Sequence, residues 1–210
     1  MALTIDTRGG SMKEVARDVY QWSQFSEEKQ LNFNGYCIVF ADEQVIVDPP
    51  LLADDDLALI KHRGPLSAIL ITNRDHLREA ERYRALFRTK ILVPELDAPV
   101  MGMKPDGIFR HGDRPISGLQ VIHIPDGKSP GESAFLIERN GGTLILGDAL
   151  IGKPPGTLSL LPPDKFADVK KARAGLAVLM GYAFDMVLVG DGTSIMIDGK
   201  EAVRQALAGR

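Results

Sequence analysis

Residues 66–76 read Leu66-Ser67-Ala68-Ile69-Leu70-Ile71-Thr72-Asn73-Arg74-Asp75-His76. The first seven form a continuous apolar run after a Gly64-Pro65 turn, as expected of a strand buried on both faces of a sheet. The run then gives way to four polar residues that end in an aspartate and a histidine. This puts titratable groups just past the carboxyl end of a buried strand, where layered α/β proteins bind their ligands.

The same ending recurs along the chain. Val47 is followed by Asp48, Leu146-Gly147 by Asp148, and Val189-Gly190 by Asp191. Any one such aspartate reads as a turn former or a helix N-cap; the repetition is what points to a site. Several carboxylates and one imidazole brought together repel unless a cation or a basic side chain stands among them.

Residues 36–40 and 44–47 are β-branched, apolar runs joined across Ala41-Asp42-Glu43, which predicts a hairpin. Carboxylates at Asp54, Asp55 and Asp56 mark the start of a short helix ending near Arg63. A polar helix ending near Phe87 precedes a strand over 90–93. Strands over 119–124, 133–137 and 143–146 follow, with turns at Asp126-Gly127 and Asn140-Gly141-Gly142, so the second half repeats the theme of the first. One long helix is predicted over 163–182, then a strand over 186–189 and a last helix from Lys200. Alternation of apolar strands with amphipathic helices implies sheet covered by helix. Tyr20, Trp22 and Phe25 precede the first hairpin and read as packing residues.

Taken in order, Ile46-Val47-Asp48-Pro49, residues 70–76, Gly127-Lys128-Ser129-Pro130-Gly131, Leu146-Gly147-Asp148 and Val189-Gly190-Asp191-Gly192 resemble the motif series of the metallo-β-lactamase superfamily over roughly residues 32–195. That series is an early strand pair ending in Asp, then H-x-H-x-D-H, then G-H-[ST]-P-G, then G-D, then G-H. The resemblance implies an α/β fold of the four-layer αββα sandwich type.

It also implies a depleted site. The first two family histidines fall on Ile71 and Asn73, the turn histidine on Lys128, and the last histidine on Asp191. One metal of the family's pair thereby loses all its own ligands. The other keeps Asp75, His76 and the bridging-type Asp148, and gains Asp191. Such an oxygen-rich set suits Mn, Fe or Mg as well as Zn. Two readings follow from the resemblance. In the first, the chain is a hydrolase with at most one divalent ion, acting on an ester, thioester, lactone or phosphodiester, with Asp75 and Lys128 as catalytic residues. In the second, the chain holds no metal and is a non-catalytic binding or assembly protein in which the Lys128 ammonium replaces it.

The bulk properties narrow the setting. With 44% apolar and 25% charged residues over 210 positions, the chain has an ordinary globular composition and is expected to form one domain over 1–210. A net charge of −3 with interspersed signs gives no footprint for nucleic acid or anionic lipid, so the expected partner is a small-molecule substrate or ligand. Residues 1–6 lack the pattern of a secretory signal, and the single cysteine, Cys37, lies in an apolar stretch, which together favour a cytoplasmic protein. His62, His111 and His123 read as ordinary surface or turn residues, and Ser129 and Ser194 have no motif histidine to activate them.

Overall fold

A computed structural model describes residues 10–41 and 43–209; the opening hexapeptide and Asp42 of the hairpin turn lie outside the described residues. Two sheets carry the fold. The larger runs in chain order through β1 (Lys13–Ala16), β2 (Val19–Ser26), β3 (Leu31–Phe40), β4 (Glu43–Val47), β5 (Leu66–Leu70), β6 (Ile91–Pro94) and β7 (Gly107–Phe109). The smaller has the order β11-β10-β9-β8, with β8 (Leu119–His123), β9 (Ser133–Ile137), β10 (Thr143–Leu146) and β11 (Met186–Val189). The predicted hairpin forms as β3 and β4, paired antiparallel from Tyr36 opposite Val47 to Phe40 opposite Glu43.

A shared unit occurs in both sheets. In the first, β4 reaches its parallel neighbour β5 through α1 (Asp54–His62). In the second, β10 reaches its parallel neighbour β11 through a segment containing α3 (Val169–Gly175). Helices α2 (Ala80–Phe87) and α4 (Gly199–Ala208) complete the outer layers.

Strand alternation sorts the apolar residues into three cores. Ile38, Val45, Val47 and Leu70 of the first sheet meet Val121, Phe135, Ile145 and Leu188 of the second. Cys37, Ile46, Ile69 and Ile71, on the opposite face of the first sheet, meet Leu57 and Ile60 of α1 and Tyr83 of α2. Leu136, Leu144, Leu146 and Val187 meet Leu176, Leu179 and Val203. The result is the αββα sandwich expected from the motif order. Cys37 is core, and its burial pushes its thiol up to about 12. No helix among the described residues is long and apolar enough to cross a membrane.

The long helix expected over 163–182 is not formed. That stretch divides into a turn of 3-10 helix at Pro163–Lys165, the short α3, and a second 3-10 segment at Leu176–Gly181. Asp168 causes the restart, because its carboxylate accepts from the amides of Lys170 and Lys171 and so caps α3. Strands β1, β2 and β7 are additions to the sequence reading. In β2 the buried positions Val19 and Trp22 are separated by half-buried Tyr20 and Gln21, and the Trp22 indole donates to the Pro50 carbonyl at 2.8 Å.

Phe135 is fully buried between the sheets, with its ring edge-to-face against Phe109 at 5.4 Å between centroids. Replacing Phe135 by Ala is expected to cost about 3–5 kcal/mol. The check is a lower denaturant midpoint at unchanged slope.

Candidate functional site

Every motif of the sequence reading arrives at one end of the two sheets. Asp48, one residue past β4 and in the left-handed backbone region at φ 47°, turns its carboxylate inward. One oxygen accepts from the Thr72 amide at 2.8 Å and the other from the Thr72 hydroxyl at 2.6 Å. The second oxygen also pairs with Nδ1 of His76 at 2.8 Å. This leaves Nε2 of the imidazole directed at Asp148, whose Oδ1 lies 3.6 Å away.

Two glycines make this approach possible. A Cβ on Gly147 would stand 2.3 Å from the Thr72 hydroxyl, and one on Gly190 would stand 2.6 Å from Cε1 of His76. The glycine before each aspartate is therefore the condition for seating the ends of β10 and β11 against the loop after β5. Asp97 holds that loop from the other side. Its carboxylate accepts from the amides of Arg74 and Gly131, each at 2.9 Å, and from the hydroxyl of Ser129 at 2.8 Å. Ser129 is thus structural.

Asp75 and His76 are successive residues of a 3-10 turn at Arg74–His76, capped by Asn73, whose side chain accepts from the Asp75 amide at 2.9 Å. Neighbouring side chains in such a turn point in diverging directions. His76 goes into the interior, and Asp75 faces the opening, where it meets the ammonium of Lys128 at 2.9 Å. The same ammonium contacts Oδ2 of Asp148 at 2.8 Å. Of the four predicted ligands, the structure brings His76, Asp148 and Asp191 together, with one ligand atom from each within 4.8 Å of the others. The fourth, Asp75, is directed to Lys128.

Electrostatics follow from this packing. Burial and the nearby Arg78 guanidinium oppose a charge on His76, but Asp148 and Asp48 outweigh them and raise it to about 10. Burial alone would raise Asp148; His76 and Lys128 override it and hold the carboxyl well below its usual range. Burial works against the Lys128 charge too, and Asp148 and Asp75 outweigh it, so its pKa is raised.

Arg78, Glu132 and Asn34 did not figure in the sequence reading. Arg78 donates to the carbonyls of Asn34, Asp48 and Gly190 and to Oδ1 of Asp191 at 2.9 Å, tying β3 to the ends of β4 and β11. Asn34 donates to the carbonyls of Val189 and Gly192. Glu132 is fully buried; Oε1 accepts from the Ala149 amide at 3.2 Å and the Asn73 amide side chain at 3.4 Å, while Oε2 has no partner. Burial, reinforced by Asp148, raises its pKa well above the ordinary range. His123 and His111 are engaged with one another and with the Pro130 carbonyl, apart from the site.

A fit test for metal gives different answers at the two places the family uses. Where the first ion would sit, Ile71 belongs to the helix-facing core, Asn73 is bound to Glu132 and Asp75, and Lys128 offers a positive charge. These residues do not fit an ion. Where the second would sit, an imidazole nitrogen and two carboxylates converge, and Asp48 orients the ring through Nδ1 as carboxylates orient metal-binding histidines. That set fits one divalent cation, which must displace the His76 proton to bind.

The site opens into a cleft of about 920 Å³. Its walls include Leu31 and Phe33 from β3, Leu158 to Pro163 from the loop after β10, and Val169 and Arg173 from α3.

Because the folded pKa of His76 lies above its ordinary 6.5, the stability it adds is complete below about 6.5 and is lost as pH rises through about 10. Metal-stripped protein is therefore expected to lose stability over that window, and His76→Gln to flatten the loss, as read from denaturant midpoints at each pH. Lys128→Met leaves Asp148 buried without its ammonium. With a quarter of the Lys128 side chain exposed, the expected cost is about 2 kcal/mol, below the ~3–5 kcal/mol of a fully buried pair.

The family model described as the metallo-beta-lactamase superfamily matches residues 12–209. No curated protein sequence matches the chain. Among solved structures, a metallo-beta-lactamase from Pontibacter korlensis is similar at 14% identity and a TM-score of 0.77, covering 95% of this chain and 99% of that one. The DIM-1 metallo-beta-lactamase is similar at 12% identity and a TM-score of 0.75, covering 95% and 97%. One from Hirschia baltica aligns at 14% identity and 0.72, covering 96% and 97%. At such identities the structural likeness speaks for the fold, and the family match, which spans nearly the whole sequence, carries the assignment: the chain belongs to the metallo-beta-lactamase superfamily.

Proposed function

We propose that the chain is a hydrolase of the superfamily that works with a single divalent cation held by His76, Asp148 and Asp191, on a small ester, thioester, lactone or phosphodiester, in the cytoplasm. The observation that carries this reading is the convergence of an imidazole nitrogen and two carboxylates, one ligand atom from each of His76, Asp148 and Asp191 lying within 4.8 Å of the others. Beside that set, the Lys128 ammonium, 2.8 Å from Asp148 and 2.9 Å from Asp75, takes over the electrostatic part of the lost ion.

A cation at the three ligands would supply Lewis-acid polarisation of a carbonyl or phosphoryl oxygen and lower the pKa of water. The chain's own groups supply the rest. An ammonium has three donors, and two of those of Lys128 are taken by Asp75 and Asp148. The third is free to donate to the oxygen on which negative charge develops during attack. The carboxylate of Asp75, half exposed at the cleft, accepts a hydrogen bond from the attacking water and orients it. Asp48 keeps the imidazole of His76 fixed through Nδ1.

One observation favours a second reading. Asp191 is already paired with Arg78, and Asp148 with Lys128, so these two carboxylates have cationic partners without an ion. In that reading the chain is a binding or assembly protein and the network is structural.

Elemental analysis of protein purified without added metal, followed by thermal titration with Zn, Mn, Fe and Mg, separates the two. The hydrolase reading expects close to one equivalent of one ion and a rise in melting temperature that Asp191→Ala abolishes. No bound metal and no stabilisation by any of the four would sink it. In the loaded protein, Lys128→Met is expected to lower kcat by about 10²–10³-fold with little change in KM, as loss of a donor to the developing charge does.

A further inference from the structure

The cleft is charged opposite to the molecule that contains it. The chain carries a net −3, yet the cleft lining holds six Lys or Arg residues against three Asp. All three aspartates are committed to partners: Asp75 and Asp148 to Lys128, and Asp191 to Arg78. The remaining lining cations are Lys29, Lys153, Lys165 and Arg173.

Three of these gather at the mouth. Lys29 lies in the turn between β2 and β3, and the Lys153 ammonium donates to the Lys29 carbonyl at 3.1 Å. Lys165, from the 3-10 turn at Pro163–Lys165, lines the same cleft. Glu28 and Asp164 are the carboxylates beside them, and their contacts with Lys29 and Lys165 are on the open surface, where ion pairs are worth little. Neither these two nor Glu27 of the β2–β3 turn lines the cleft, so the charged groups that face into it at the mouth are the three lysines.

Between this mouth and the ionic floor the wall is apolar. Leu31, Phe33, Leu160 and Leu161 are only half buried although they face a concave surface, and Ile151 and Leu158 lie behind them. Half-exposed leucine and phenylalanine in a cleft leave apolar area for a ligand to cover. Neither an inorganic anion nor a neutral lipid matches both features.

We infer that the cleft binds an amphipathic anion, in which an apolar acyl chain lies along Leu31, Phe33, Leu158 and Leu160 and an anionic group meets Lys29, Lys153 and Lys165. As a statement of substrate this rests on the hydrolase reading of the same cleft. It narrows the class to an ester or thioester whose apolar segment separates the scissile bond, at the floor, from an anionic group at the mouth. As a statement of binding it stands without turnover.

The test is calorimetric titration of metal-free protein with hexyl, octyl and decyl phosphate below their aggregation thresholds, beside inorganic phosphate and neutral octyl glucoside. Affinity is expected to tighten by up to about fourfold for each added methylene. It is expected to weaken about tenfold or more in the double variant Lys153→Glu, Lys165→Glu, whose exposed positions leave melting temperature unchanged. Leu160→Asp should flatten the dependence on chain length. Phosphate binding as tightly as decyl phosphate would overturn the apolar arm, octyl glucoside binding as tightly as octyl phosphate would overturn the anionic group, and no binding by any probe would overturn the whole. Because the protein is metal-free and nothing is hydrolysed, failure of the hydrolase reading leaves this result intact. Hydrolysis of a small neutral ester without alkyl phosphate binding would overturn this inference alone.

Discussion

A buried carboxylate needs partners, and Asp48 has them all from one loop. The amide and hydroxyl of Thr72 and the imidazole of His76 surround it, at a position almost sealed from solvent. That cluster sets where the loop after β5 lies, and the rest of the site is built against it. His76 can turn only its second nitrogen toward the other sheet, and Asp148 meets it there. Two more cations, Lys128 and Arg78, complete the compensation at Asp148 and Asp191. Burial of charge is tolerable here because each group is paired and hydrogen-bonded; without the partners it would cost several kcal/mol per ion.

This arrangement explains why the departures from the family pattern occur together. An ammonium at position 128 would repel an ion held by neutral imidazoles at 71 and 73. With Ile71 turned into the core beneath the helices and Asn73 bonded to buried Glu132, the region has become part of the structure. What remains is an asymmetric site. It has a fixed organic cation on one side and, on the other, a ligand set able to hold one ion, both opening on a cleft with apolar walls and a basic mouth.

The sequence was most informative where one physical pattern was sufficient by itself. The run before Thr72, the hairpin at β3 and β4, and the aspartates past strand ends are local signals, and each occupies its expected place. The helix over 163–182 failed because helical spacing of apolar residues does not report a restart. The cap at Asp168 breaks the stretch, and its apolar residues still reach the core from shorter pieces. Strand β2 was hidden because Gln21, Ser23, Gln24 and Ser26 interrupt its apolar residues.

The sequence by itself determined the β3–β4 hairpin, the two-sided burial of the central strands and the types of group present at their ends, because these follow from periodicity and from residue chemistry. Even Gly147 and Gly190 were readable as partners of Asp148 and Asp191, although their reason, the closeness of Thr72 and His76, was not. Only the tertiary structure decided which groups pair. That Asp75 faces Lys128 and not the ligand set, that Arg78 joins β3 and the ends of β4 and β11 to Asp191, and that Glu132 lies buried with one oxygen unpartnered all depend on contacts between residues far apart in the chain. A sequence fixes the charge a side chain carries in water; the partners that burial assigns to it fix what that charge can do.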